Sequence, residues 1–148
     1  MRALAALNLA GMAFFLLFLL GIVSGLRTFT GPAVLWLTRH GGVFAYVLAG
    51  AAIFEYFYDV QPQAPPRTSI SNIISRLLSG VFVGWWGAVA AGVTPGIGAA
   101  LGAAGALAGA YCSLPIRKRC IEIGGNLASG LLEDIVAIGA AALIVTHL

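Results

Sequence analysis

Six ionisable side chains lie within or at the ends of long apolar stretches of this 148-residue chain. They are Arg27, Glu55, Asp59, Arg76, Glu133 and Asp134. An ionisable group in hydrocarbon costs at least about 2.5 kcal/mol, so each one requires an opposite charge or access to water. Glu55 and Asp59 are four residues apart and share a helix face, whereas the adjacent Glu133 and Asp134 point about 100 degrees apart. The two arginines are the expected counter-charges.

Two explanations of these charges remain open on the sequence. In the first, acids and arginines form buried ion pairs that fix the register of neighbouring helices. In the second, they line a polar cavity for an ion or small solute, as discontinuous helices do in transporters. Arg67 is a secondary candidate for the same site, as are Trp85 and Trp86, which lie near the middle of an apolar stretch where an indole N–H needs an acceptor.

The composition excludes a soluble protein and indicates a membrane protein. Hydrophobic residues make up 60% of the chain and charged residues 9%, against about a quarter charged in a soluble domain. The apolar stretches are too long for barrel strands and lack their alternation, which predicts helices. Despite a net charge of +3, no nucleic-acid partner is expected, because the eight basic residues are scattered among the apolar stretches.

The elements predicted from this pattern form one all-α domain over residues 1–148, a polytopic membrane helix bundle. A short apolar piece after the first span, Phe29 to Leu37, is too short to cross and is predicted to be a half-helix or re-entrant segment. Turns are predicted at Thr94-Pro95-Gly96 and Gly124-Gly125-Asn126, and a helix end at Pro115. The five predicted spans are Leu4 to Ser24, Val43 to Tyr58, Leu77 to Val93, Ile97 to Leu114 and Leu127 to Val145.

The distribution of basic residues predicts an orientation in the membrane. With five crossings, one side carries six basic residues and the other carries Arg39 alone. Because cytoplasmic segments are enriched in Lys and Arg, the N-terminus is expected in the cytoplasm and the C-terminus outside. The location expected is the inner membrane of a bacterium. The six residues are Arg2, Arg67, Arg76, Arg117, Lys118 and Arg119.

Glycines recur at helical spacing in the third and fourth spans and predict close helix packing. In lipid, such faces let two backbones approach closely enough for dispersion contacts. We therefore expect the two spans to form a tight hairpin around Pro95. The glycines concerned are Gly80, Gly84 and Gly87 in one span and Gly98, Gly102, Gly105 and Gly109 in the next.

No residue pattern here indicates catalysis, a cofactor or a metal. Cys112 and Cys120 are too far apart for a CxxC pair and are expected to be free thiols. The two histidines lie at a turn and at the chain end, and the glycines follow helix faces rather than phosphate-binding loops. We therefore expect a protein that is not an enzyme and that carries no cofactor.

Several segments, in this order and spacing, resemble a family of small bacterial polytopic membrane proteins known as domain of unknown function 4126. The resemblance covers the chain from about Gly21 to Val145, and it implies a compact helical membrane fold without implying an activity. It singles out Arg27, Glu55, Asp59, Arg67, Arg76, Glu133 and Asp134. The segments are residues 21–28 with Pro32-Ala33, Glu55 with Asp59 and Pro62, Pro66-Arg67-Thr68, Ser75-Arg76, Ser79-Gly80 and residues 133–139.

Two functions follow as hypotheses. The first is a small transporter or channel component in which the six ionisable residues line a path for an ion, a proton or a small polar solute. Since one chain of this size makes a thin wall, a homodimer is compatible with that function. The second is a scaffold or assembly subunit whose glycine faces bind partner helices or lipid. An intramembrane enzyme acting on lipid is the least favoured, because no nucleophile or metal cluster accompanies the acids.

Overall fold

The computed structural model describes residues 2–59, 61 and 69–148, with side chains from Leu7 onward within those ranges. This part of the chain is helical and contains no strands, so the predicted all-α class is confirmed. Five helices follow one another: α1 (Arg2–Leu26), α2 (Thr30–Arg39), α3 (Gly42–Asp59), α4 (Ile70–Ala91) and α5 (Pro95–His147).

Helix α5 is broken at Gly125, where φ is 79° and ψ is 174°. A side chain would be strained in that conformation, so glycine permits the chain to reverse here. The first arm (residues 95–124) and the second arm (126–147) lie side by side, since Arg117 in the first contacts Asn126 and Glu133 in the second. The predicted helix end at Pro115 is wrong: a proline costs one backbone hydrogen bond, and the paired arms keep the helix intact around it.

Three of the described helices are long and apolar enough to cross a membrane: α1 over Leu7–Leu26, α4 over Ile70–Ala91, and α5. The chain therefore has the character of a multi-pass membrane protein. The 20 residues of the α1 span cover about 30 Å, which matches the hydrocarbon thickness of a bilayer. Helices α2 and α3 occupy the positions of the predicted short segment and second span. The number of crossings stays a prediction.

Glycines let α1, α4 and the first arm of α5 approach one another with their backbones in contact. A Cβ atom on Gly102 would overlap the backbone of Gly80 in α4, and one on Gly21 in α1 would overlap Gly102. Gly84 and Gly98 face each other in the same way. Such contacts replace the hydrophobic effect, which does not drive helices together in lipid.

The predicted glycine hairpin between α4 and α5 accounts for only part of this packing. Gly105 and Gly109 lie against the backbone of α1 at Phe18 and Ile22, and Gly87 lies against Leu17 of α1. Helix α1 thus packs into the groove of the hairpin. The core at this junction also includes residues of α2 and of the second arm of α5. Its buried members are Leu20 and Val23 of α1, Leu35 of α2, Val83 of α4, and Ala137, Ala141, Ile144 and Val145 of the second arm.

Both ends of the chain lie at the same end of the bundle. Leu9 and Met12 of α1 line one cavity together with the C-terminal His147 and Leu148. The expectation that the C-terminus lies opposite the N-terminus is therefore wrong. The physical reason is α2, which carries the chain back, so that Arg39 at its end donates a 2.9 Å hydrogen bond to the carbonyl of Val145.

The first arm of α5 runs well past the end of α1. Gly25, in the last turn of α1, packs against Ala106 and Ala110, while the arm continues to Gly124. At about 1.5 Å per residue, that continuation extends roughly 20 Å beyond this contact. We call residues 111–133 the hairpin extension. It carries the basic run Arg117 to Arg119 at the end of the bundle opposite the two termini.

Replacing Gly102 with alanine is expected to lower the free energy of unfolding by about 1–3 kcal/mol, because the added methyl group forces backbones apart. Gly139→Ala is the matched control, since a Cβ there meets no atom within 4 Å. Reversible unfolding in mixed micelles, followed by tryptophan fluorescence, measures both. Equal stability of the two variants would contradict the glycine junction.

Candidate ion-binding site

Arg27 occupies the break between α1 and α2, and its side chain is fully buried. Its two terminal nitrogens contact carboxylates from two different helices. Nη1 lies 2.5 Å from Oδ2 of Asp59 in α3, and Nη2 lies 2.5 Å from Oδ1 of Asp134 in the second arm of α5. The ring of Tyr56 covers the guanidinium at 5.3 Å from its centre, which adds a cation–π contact.

This cluster of Arg27, Asp59 and Asp134 contains one positive and two negative groups when all three are ionised. The two aspartate side chains retain only 19% and 14% of their exposure. Both carboxylates contact the same guanidinium, so protonation of either one changes the charge balance around Arg27.

Glu55 caps the N-terminus of α2 from outside that helix. The N-cap residue Phe29 has no side-chain acceptor, so the first N–H groups of α2 need a partner from elsewhere. Glu55 supplies acceptors immediately before the helix: its two oxygens accept hydrogen bonds from the backbone N–H of Thr28 at 2.8 Å and of the N-cap residue Phe29 at 3.0 Å. A carboxylate also interacts favourably with the positive end of the helix dipole.

Arg76 stabilises the same break from the side of α4. Its Nη1 donates to the carbonyls of Gly25 and Leu26, the latter at 3.0 Å, at the C-terminus of α1. A cation is favoured there, since the last carbonyls of a helix have no partner within it. Ser79, one turn further along α4, donates to the carbonyl of Thr28. The broken backbone between α1 and α2 is thus bonded on both sides.

Glu133 lies apart from the Arg27 cluster. Its Oε2 is 3.1 Å from Arg117 Nη1, across the two arms of α5, and Arg117 also donates to Asn126 at 3.1 Å. The adjacent Glu133 and Asp134 therefore have different arginine partners, as their angular separation on the helix requires. Arg27 has the acids for partners, whereas Arg76 bonds to backbone carbonyls.

The two tryptophans of α4 also have separate surroundings. Trp85 is 46% exposed on the outer surface of the bundle. Trp86 packs edge to face against Trp36 of α2 with 5.3 Å between ring centres, and Trp36 in turn contacts His40 at 4.4 Å. This aromatic group lies near the end of the bundle that holds the termini. Arg67 lies outside the described residues.

The Arg27 cluster is closed in this structure. The three best-defined cavities among the described residues are lined by other side chains. Within the same part of the chain, no three His, Cys, Asp or Glu side chains are grouped as a metal ion requires. The cluster also follows directly on the apolar span of α1, so it lies near one end of that span rather than at its middle.

Two residues that take part in these contacts were not identified from the sequence. Tyr56 covers Arg27 and shares a 2.7 Å hydrogen bond with Thr30, and a signal for it was its place beside Glu55 on α3. Arg117 was assigned only to a basic cluster, and no local spacing relates it to Glu133 across a reversal at Gly125.

Comparison with protein-family models, curated proteins and solved structures gave no match. The resemblance to the bacterial family of unknown function stays a prediction.

Arg27→Gln is expected to lower the free energy of unfolding by about 3 kcal/mol, since it removes the buried guanidinium that two partly buried carboxylates contact. Asp59→Asn should lower the free energy of unfolding by less, because Arg27 keeps its ion pair with Asp134. A double-mutant cycle in mixed micelles measures the coupling between Arg27 and Asp59. Additivity within about 0.3 kcal/mol would show that the pair is not coupled.

Proposed function

We propose that this chain is a small multi-pass membrane transporter or channel component, and that Arg27, Asp59 and Asp134 form its proton-binding site. The observation that carries the proposal is one fully buried guanidinium that forms ion pairs with two carboxylates on different helices. Both carboxylates can take up a proton, and a proton on either one weakens its attraction to Arg27. The coupled solute and the bacterial inner membrane as its location belong to the same proposal.

Protonation of the cluster has a direct structural consequence for α3. This helix fully buries only two of its residues, Ala45 and Ala52. Near its C-terminus, Glu55, Tyr56 and Asp59 attach it to the break between α1 and α2. A proton on Asp59 weakens its bond to Arg27, so α3 is the element whose position the proton controls. Transport requires a protein to exchange between two conformations. Here these are the conformation with α3 attached to the break between α1 and α2 and the one with α3 released from it.

The second candidate function, a scaffold that binds partner helices through glycine faces, has less support. The glycines of that hypothesis pack against helices of the same chain, where a Cβ would meet backbone atoms. They are not available to a partner or to a second copy of the chain. The closed state of the Arg27 cluster is the one feature that favours a purely structural role for its charges.

The orientation proposed for the membrane differs from the one expected on the sequence. The hairpin extension carries Arg117, Lys118 and Arg119, whereas Arg2 and Arg39 lie at the end of the bundle that holds the termini. Since the extension has the larger positive charge, we place it in the cytoplasm and both termini outside.

Asp59→Asn and Asp134→Asn are each expected to reduce proton flux at least about tenfold, because each removes one of the two carboxylates proposed to take up the proton. The flux is measured in proteoliposomes containing a pH-sensitive dye, with a potential imposed by potassium and valinomycin. Glu122→Gln, an exposed carboxylate away from the cluster, is the control and should leave the flux unchanged. Wild-type flux equal to that of empty liposomes would refute transport, and full flux in both variants would refute this site.

Fusions at Leu148 are expected to give active alkaline phosphatase and non-fluorescent green fluorescent protein in a bacterial host. Alkaline phosphatase matures only outside the cytoplasm, whereas the fluorescent protein matures only inside it. Fusions truncated at Gly124, in the hairpin extension, should give the reverse pattern. A fluorescent fusion at Leu148 would contradict this orientation and would instead support termini that lie in the cytoplasm.

A further inference from the structure

A cavity of about 320 Å³ lies between the end of α1 and the two arms of α5. Its walls are almost entirely apolar, and it is partly open at the surface of the bundle. The cavity exists because small side chains line the facing helices, among them Gly109 and Ser113 in the first arm and Ser129 in the second. Ile22 and Leu26 of α1 close it on the third side.

The residues that line the cavity are apolar at one end and charged at the other. At Ile22 and Leu26 it lies beside the apolar span of α1. At the other end it is lined by Arg117 and Glu133, which form an ion pair. Since Gly25 packs at Ala110, Arg117 lies roughly 10 Å further along the first arm. The cavity thus runs from the level of the hydrocarbon to a charged rim, as a site for an amphiphile would.

The charge at this rim identifies the kind of amphiphile. Lys118 and Arg119 follow Arg117 directly, lie on the helix surface beside the cavity rather than in its wall, and are both exposed. Arg117 already has Glu133 and Asn126 as partners, so the two following residues are the cations at this level that face the surroundings. Basic residues next to a membrane surface attract anionic lipid headgroups. Because salt screens charges, this attraction acts only over distances up to about one Debye length.

We propose that this cavity binds an anionic phospholipid, with one acyl chain between the arms of α5 and the phosphate beside Lys118 and Arg119. A zwitterionic lipid fits the apolar walls equally well but has no net charge for the basic rim. The proposal depends on the chain being in a membrane and does not depend on proton transport, so failure of one leaves the other standing.

Native mass spectrometry of the full chain in detergent tests the proposal with phosphatidylglycerol and phosphatidylcholine of identical acyl chains. Phosphatidylglycerol is expected to be retained at least fivefold better, since one basic residue near an anionic group contributes about that factor. The double variant Lys118→Gln, Arg119→Gln should lose the preference and keep the weaker retention. Equal retention of the two lipids by the wild type would overturn the proposal, as would retention of oleate but not of phosphatidylglycerol.

Two further measurements locate the lipid in this cavity. Ala108→Trp, at a half-buried wall position, should abolish retention, while Leu107→Trp, at the neighbouring residue outside the cavity wall, should not. Unfolding temperatures in phosphatidylcholine establish that both variants fold. Cys112 also lines the cavity, so phosphatidylglycerol should slow its modification by maleimide in a Cys120→Ser background. Unchanged modification, or full retention in Ala108→Trp, would place the bound lipid elsewhere and overturn the proposal.

Discussion

The arrangement of this bundle depends on how a buried guanidinium is compensated at the break between α1 and α2. Arg27 cannot remain charged inside the protein without carboxylates, and the two that it contacts come from α3 and from the second arm of α5. The requirement therefore brings three distant segments of the chain to one place. Because the backbone is also broken there, Glu55 and Arg76 supply the hydrogen bonds that a continuous helix would have made for itself.

Glycine packing and charge compensation stabilise different parts of the bundle. The glycine contacts hold α1, α4 and the first arm of α5 together along their lengths, where no polar group is needed. The polar contacts attach α3 and the second arm to the break between α1 and α2. The second arm and α2 also pack into the apolar core, whereas α3 buries only Ala45 and Ala52 and so depends most on the polar contacts. Apolar packing in lipid does not respond to pH, whereas a carboxylate bonded to an arginine does.

Much of this architecture could be predicted because its causes are local. Apolar runs between prolines and glycines located the helices, and Gly124-Gly125-Asn126 marked the reversal of α5. The pairing of Arg27 with acids was predicted, since a charge in hydrocarbon must find a partner, although the sequence did not say which acids. The partners of Arg76 were not, because backbone carbonyls at a helix end carry no sequence signal. The relative position of the two termini was misjudged for a related reason: whether α2 returns the chain depends on where Thr30 to Ala33 pack, and that is a tertiary contact.

The position of the two termini has a consequence for how such a chain can be combined with another. Since both lie at the same end of the bundle, a second copy joined by a short linker would enter the membrane with the same orientation as the first. Gene duplication would therefore produce a tandem pair related by an axis along the membrane normal, with no added helix needed between the halves. An inverted pair would require an extra crossing.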